Sequence, residues 1–597
     1  MTQPTASGFL LQRLIDWGVQ RIYGYPGDGI NGLIGSLEAF SDRLEFIQVR
    51  HEEMAAFMAC AHAKFTGEVG VCMATSGPGA IHLLNGLYDA KNDHAPVVAI
   101  VGQAATTALG GSYQQEVDLQ TLFHDVSEYA ATIASTAATR HVVDRAFRTA
   151  IGMRGVATVI FPKDLQEERY APPPEKHNTL HSGVGYARPI VVPQESDLRR
   201  AAELLNGAER VAILAGAGAK HAYDELIDVA DTLKACCAKA LLGKDVLPDD
   251  LPWVTGTIGL LGTRPSSDIM AQCDALLMIG TNFPYAEFLP KEGDARAVQI
   301  DLDPRNLGLR YPVEVNLAGD AAATLRALLP HLDRKSDGSW RERIAKDKAE
   351  WSDIEARRAH IEADPVNPML YFYSLNERLP SNAILTGDAG TPTNWMARFL
   401  TMRRGNKLSL SGSLATMGSA VPYAIAAKFA FPDRPVIAFA GDGAMQMNGI
   451  NELITVYRYW NRWSDPRLIF FVLNNTDLNQ VTWEQRILGG SPRNMETQPL
   501  PDFPYAAFGE SLGFLGIRVD RPDRVGEAWD RALNADRPVV FEALANENIA
   551  TLPPHISREE AMHFLKSVPK DPEAAGIIKE SVRQVLSGIL PGRSPRQ

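Results

Sequence analysis

The chain has 597 residues, 45% hydrophobic and 22% charged, which is core material for about three or four domains and excludes global disorder. A formal net charge of −12 excludes the basic face that a duplex nucleic acid needs. No run of about 18 apolar residues is present to span a bilayer, and Cys60, Cys72, Cys236, Cys237 and Cys273 show no CxxC pair, so they read as reduced core thiols of a cytoplasmic protein.

The opening MTQPTASGFLLQRL lacks a basic segment ahead of a long apolar one and does not read as a signal peptide. YGYPGDGING then holds Gly27-Asp28-Gly29, an Asp between glycines. RLEFIQVR reads as a strand, EEMAAFMACAHAKF as a helix, VGVCMAT as a strand, AIHLLNGLYDAKN as a helix and PVVAIVG as a strand. Strands apolar throughout and separated by helices imply a parallel sheet covered on both faces. RYAPPPEKHNTLHSGVGYARPIVVPQES reads as a linker.

A second alternating unit runs from RVAILAGAGAKHA through ALLMIGTNFPYAEF and AVQIDLDP to TLRALLPHL. The charged WRERIAKDKAEWSDIEARRAHIEAD reads as a solvated helix bridging domains. The third unit runs from NAILTGDAGTPTNW to PVVFEALANEN. The fold class is therefore α/β, with three consecutive domains of doubly wound parallel sheets at 1–180, 190–335 and 365–550. A helical tail follows at 551–597, in which Ile578, Val582, Val585, Leu586 and Ile589 share one helical face. That face packs on its own subunit or gives peripheral contact with a membrane.

The tripeptide recurs as Gly441-Asp442-Gly443, at a strand's end and opening a helix. A helix N-terminus with glycines offers amides to a phosphate. Asp442 offers one of the hard oxygens that Mg²⁺ prefers. The next strand, LIFFVL, ends in Asn474-Asn475. In a strand–helix–strand unit both strand ends lie on one sheet edge, where such folds bind ligands.

GDG, an intervening helix, then an apolar strand capped by Asn-Asn resembles the thiamine diphosphate (ThDP) motif of the ThDP-dependent decarboxylases and oxidases. Thirty residues separate Gly443 from Asn474, a few more than that family has, and YWNRWSDPR is where a loop absorbs them. The resemblance implies that Asp442, Asn475 and the backbone oxygen of Asp477 bind Mg²⁺. It implies that Gly441, Gly443 and Ala444 meet the diphosphate, with Gly390 and Thr391 beside it and Met417 under the cofactor's bend. It also implies a carboxylate against the aminopyrimidine, after a His that ends a strand of the first domain. FIQVRHEEMAAF places Glu52 there, after His51, with Glu53 as a helix-start charge. Pro26 and Gly27 are the implied backbone contact to the aminopyrimidine. Glu52 and Asp442 lie in different domains, which the family brings from different subunits, so a homodimer or homotetramer is implied.

ATSGPGAIHLLNGLYDAKNDHAPVVAIVGQ resembles pyruvate oxidase more than acetolactate synthase. ILAGAGAKHA is an incomplete dinucleotide loop, with His221 where a Gly is expected, and reads equally as a plain turn. The later GTNFPYAEF, IDLDP and LAGDAAATL resemble the FAD domain of quinone-linked pyruvate oxidases. That implies FAD, with Gly216, Gly218, Thr281, Phe283, Asp301 and Asp320 around it. Gln115 and Glu484 match catalytic positions of that family. Gln114, Asn479 and Gln480 depart from it toward polarity, which favours a hydroxylated or larger 2-oxo acid over a bare methyl. The implied reaction is ThDP- and Mg²⁺-dependent decarboxylation of a pyruvate-like 2-oxo acid, with FAD oxidising the enamine and passing electrons to oxygen or a quinone. The alternative is a non-oxidative, acetolactate synthase-like lyase or carboligase with FAD absent or structural. A catalytically silent ThDP-binding protein conflicts with intact Glu52, Asp442 and Asn475.

Overall fold

The computed structural model describes residues 4–551 and 558–589. Its strands form three six-stranded sheets in which every neighbouring pair is parallel. The first holds β1 (Arg21–Gly24), β2 (Glu45–Gln48), β3 (Gly70–Ala74), β4 (Val97–Gln103), β5 (Tyr129–Thr132) and β6 (Val156–Pro162), in the order β2-β1-β3-β4-β6-β5. The central one holds β7 (Val211–Ala215), β8 (Cys236–Lys239), β9 (Val254–Thr257), β10 (Ala275–Ile279), β11 (Arg296–Asp301) and β12 (Val315–Ala318), in the order β12-β11-β10-β7-β8-β9. The third holds β13 (Ile384–Gly387), β14 (Lys407–Leu410), β15 (Val436–Gly441), β16 (Leu468–Asn474), β17 (Leu515–Val519) and β18 (Val539–Leu544), in the order β14-β13-β15-β16-β18-β17. Inner strands such as β3, β4, β7, β10 and β16 are buried at every residue, because helices cover both faces.

The first and third sheets share one strand order, whereas the central sheet has the 3-2-1-4-5-6 order of dinucleotide-binding folds. This separates the two tripeptides. Gly27-Asp28-Gly29 follows the first strand of its sheet, and Gly441-Asp442-Gly443 follows the third strand of its own. The topological counterpart of Asp442 is therefore the Thr75-Ser76-Gly77 turn after β3. The counterpart of Asp28 is Asp388, after β13.

The helices Glu52–Thr66 and Ala420–Ala430, each lying between the second and third strands of its sheet, pack on one another. Ala55, Ala56, Ala59 and Ala63 on one side and Ala424, Ala426 and Ala427 on the other keep the first and third domains in one apolar cluster. Lys64 is set into this joint, 2.6 Å from both Asp93 and the Tyr423 hydroxyl.

No helix or strand lies between Glu167 and Glu195, along the stretch read as a linker. The charged stretch forms the helix Ser339–Ala359, which is not wholly solvated: Trp340, Ile344, Trp351 and Ile354 are buried. All five cysteines are buried and unpaired. Among the described residues no helix is long and apolar enough to cross a membrane.

The tail helix Ala574–Ile589 does not bury the shared apolar face against its own chain, the first of the two expected outcomes. It turns Ile577, Glu580 and Gln584 inward, while Ile578, Val582, Val585 and Leu586 are exposed. Inward anchoring comes from Asp571, which accepts hydrogen bonds from the buried Arg486 guanidinium at 2.8 and 3.0 Å. The side chain of Ile589, residues 552–557 and residues 590–597 lie outside the described ones.

Candidate active site

β15 ends at Gly441, and the helical turn Asp442–Ala444 starts at once, followed by a π-helical turn, Met445–Gly449, and the helix Ile450–Tyr459. Asp442 is 3% exposed. One carboxylate oxygen accepts the Gly443 N–H at 2.9 Å, and the other accepts the amides of Asn475 (2.9 Å) and Thr476 (2.6 Å). Those amides lie just past β16, which pairs with β15 along its length, so the strand register brings them together. Burial pushes Asp442 up to about 7, with the Asp477 carboxylate adding to the rise. Asn475 accepts the Asp477 N–H with its side-chain oxygen, 3.3 Å. The Asp477 carboxylate is paired with Arg493 at 3.0 Å and accepts from Asn479 at 3.1 Å, while its backbone oxygen accepts the Asn479 N–H at 2.7 Å and keeps a second lone pair.

A carboxylate, an amide oxygen and a carbonyl are the hard donors that Mg²⁺ takes, usually with phosphate and water completing the shell. A buried carboxylate held ready by three amides, with no ion pair among the described residues, fits a cation. Nearby, Asp388 accepts the amides of Gly418 (2.8 Å) and Ala420 (2.9 Å), which fastens the loop of Met417 to the end of β13. Gly390 caps the helix Thr391–Phe399, and Thr391 is buried. Met417 lies beside Gly443, its sulfur 3.8 Å from where a Cβ there would sit.

The first domain supplies a second group. His51 is the N-cap of the helix Glu52–Thr66, its Nδ1 accepting the Glu53 N–H at 3.2 Å. Glu52 follows, 8% exposed, with Oε2 3.0 Å from His82 Nδ1. Its other oxygen faces Gly79, where a Cβ would lie 3.1 Å from it and 2.7 Å from Thr75 Cγ2. Glycine is needed there for room. Gln115 stands over the same turn and accepts the Ser76 hydroxyl at 3.2 Å. Gly27 packs on Thr75, next to Pro26, and the Gly29 N–H donates to Thr75 Oγ1 at 2.9 Å. Asp28 points outward, its carboxylate 66% exposed and 3.9 Å from Lys163. Glu53 starts the helix as expected and also accepts from Asn85 (2.6 Å) and from Asn448 of the π-helical turn (3.1 Å), which joins the two domains. His82 escaped the sequence reading because its contact with Glu52 is tertiary.

Glu484 is exposed on the helix Asn479–Ile487 and accepts from Gln480 at 2.8 Å. Asn394 in turn donates to Gln480 at 2.7 Å. Asn479 is buried and donates to Asp477 and to the Glu547 carbonyl, so it adds nothing to pocket polarity. Of the three residues expected to make the pocket more polar, Gln480 and the exposed Gln114 remain.

In the central domain a Cβ on Gly216 would meet the Gly280 carbonyl at 2.4 Å, and one on Gly218 would meet the Gly280 Cα at 2.8 Å. The loops after β7 and β10 therefore touch where the strand order reverses, the place such sheets bind nucleotides. Thr281 and Phe283 lie buried just beyond β10. Asp301 accepts the Asp303 amide at 2.9 Å. Asp320 caps the helix Ala321–Leu328 and pairs with His221 at 2.8 Å, which gives that His a structural role where a Gly was expected.

Three family descriptions match the chain: "Thiamine pyrophosphate enzyme, N-terminal TPP binding domain" at 4–122, "central domain" at 198–328 and "C-terminal TPP binding domain" at 388–543. A thiamine pyrophosphate-containing protein of Bacillus subtilis is 37% identical over 96% of each chain. The pyruvate oxidase of Lactiplantibacillus plantarum is 35% identical over 91% of this chain and 89% of that one. A protein of Methanocaldococcus jannaschii named as an acetolactate synthase large subunit is 31% identical, covering 90% and 91%.

Proposed function

The chain belongs to the thiamine pyrophosphate enzymes of the pyruvate oxidase and acetolactate synthase family, and from that premise we propose that it decarboxylates a pyruvate-like 2-oxo acid and passes the electrons through FAD to oxygen or a quinone. The observation that carries the cofactor reading is the buried Asp442 carboxylate, held by amides from two neighbouring strand ends. Asp442, the Asn475 side chain and the Asp477 backbone oxygen would hold Mg²⁺. The amides of Gly443 and Ala444 would meet the diphosphate, with Gly441, Gly390 and Thr391 alongside and Met417 beneath the bend. Bound ThDP supplies the nucleophilic carbon and the electron sink that let CO₂ leave.

The chain's own residues then position and protonate. Glu52 would hold a proton at the ring nitrogen of the aminopyrimidine, with Pro26 and Gly27 against that ring. Its burial against Gly79 keeps water from competing for the carboxylate. Gln115 and Glu484 would face the substrate. The strand order of the central sheet supports FAD, with Gly216, Gly218, Thr281, Phe283, Asp301 and Asp320 around its crevice. Glu52 and Asp442 would meet across the interface of a homodimer, or of a pair of dimers. The outward apolar residues of the tail helix support a peripheral membrane contact, which vesicle flotation tests with Ser at Ile578, Val582 and Leu586.

A second reading, a non-oxidative carboligase, is favoured by the acetolactate synthase relatives. The visible absorbance spectrum of the purified protein, followed anaerobically across a panel of 2-oxo acids, separates the two. Flavin bleaching is the expected result; a bound flavin that never bleaches, or a colourless protein with turnover, removes the oxidase. A clear preference for pyruvate itself would remove the expectation of a hydroxylated or larger substrate.

A further inference from the structure

Glu52 has one hydrogen-bonding side chain against it among the described residues, His82. We propose that His82 is the positioning residue of Glu52: its Nδ1–H holds one carboxylate oxygen and leaves the other, over Gly79, as the single oxygen offered to the aminopyrimidine. The inference deepens the ThDP reading and rests on it.

A glutamate side chain has three rotatable bonds and two equivalent oxygens, so burial alone does not fix which oxygen points where. Here both ends are set by local structure. Glu52 opens a helix whose N-cap is His51. His82 ends the short helix Pro78–His82, whose start is fixed by Gly77 at φ +59° and by Pro78 in the first turn. The His82 ring is held further by lying against the His51 ring, centroids 4.3 Å apart and planes 31° apart. The His51 ring is itself fixed, because its Nδ1 accepts the Glu53 amide. That assignment leaves His51 neutral at Nδ1, with its proton on Nε2. Glu53 is the other charged group at this corner, its carboxylate 3.9 Å from His51 Nδ1.

The donor atoms of His51, Glu52 and His82 lie within 4.8 Å of one another, close enough to suggest a metal. Their hydrogen bonds favour another use. The His51 Nδ1 lone pair is engaged by an amide, and Glu52 Oε2 is engaged by His82. The cluster works as a chain that orients one carboxylate.

Two substitutions in the full-length protein, His82→Leu and His82→Asn, test this. Asn places an N–H where Nδ1 stands; Leu removes it. With ThDP and Mg²⁺ bound, the exchange of the cofactor's C2 proton, followed by NMR, should slow about 10- to 100-fold in His82→Leu, the scale of a misplaced catalytic group. It should stay near wild type in His82→Asn, with ThDP affinity unchanged in both. In the cofactor-free protein, NMR of histidine-labelled protein should show the His82 Nδ1–H resonance moving in Glu52→Gln, because the carboxylate it donates to is gone. Wild-type exchange in His82→Leu, equal slowing in both variants, or an unmoved His82 N–H resonance would each overturn the proposal. Failure of the wild type to bind ThDP would refute the cofactor reading instead, and the imidazole N–H resonance would still decide the contact.

Discussion

The first and third sheets have the same strand order, yet they hold their acids differently. Asp442 is gripped by three main-chain amides, two from a loop whose place is set by strand register. Glu52 is gripped by one imidazole and given room by one glycine. A backbone grip survives most side-chain changes, whereas a side-chain grip does not. On the proposed reading, the metal half of the site would be encoded in strand geometry, and the proton half in a few residues that single substitutions can undo.

Predictions follow that contrast in order of size. Glu52→Gln should lower turnover by about 10²- to 10⁴-fold, the scale of one general acid–base group, while ThDP titration shows binding intact; full activity would end the assigned role. Asp442→Asn should weaken Mg²⁺ binding by more than the about 10- to 100-fold typical of groups outside the metal's own shell, read by metal titration. Gly79→Ala, whose Cβ would press on Glu52, should lower kcat by about 10- to 100-fold with the fold intact, and an unchanged kcat would show that the room is not needed.

A smaller effect concerns Glu452, buried under the loop before Glu52 and accepting the Arg50 amide at 2.7 Å. Burial pushes it up to about 7 from an ordinary 4.5. A raised carboxyl favours the folded state below pH 4.5 and loses that contribution as pH rises to about 7, up to about 3 kcal/mol in all. Glu452→Gln should flatten that fall in denaturation midpoints measured from pH 5 to 8; an equal fall in both proteins would refute it. Asp28→Asn should be the smallest change, within about 0.5 kcal/mol of stability and with Mg²⁺ affinity unaltered. Equal loss of metal binding in Asp28→Asn and Asp442→Asn would erase the difference between the two copies of the tripeptide.

The fold class was legible because β3, β4, β15 and β16 are long apolar runs between helices. The third-domain half of the site was legible because its residues sit at strand ends, where sequence order and spatial order coincide. Short elements were less so. β9 is four residues with a Gly inside, Val254–Thr257, too brief for a pattern. His82 lies 30 positions from Glu52 and announces no partner. The equivalence of Asp28 with Asp388 needed the strand order, which no local motif contains. The tail left two outcomes open because apolar periodicity tells which residues share a face but not whether that face turns inward; the Arg486–Asp571 pair anchors the opposite side.

The packing of Glu52–Thr66 on Ala420–Ala430 has a consequence for ancestry. These helices occupy the same place in two sheets of the same order, and they pack on each other. A shared strand order is what duplication of one domain would leave, with the two copies packed together in one polypeptide. The central sheet, of different order, sits between the copies as an insertion. Divergence after such a duplication would leave one copy with the metal and the other with the proton.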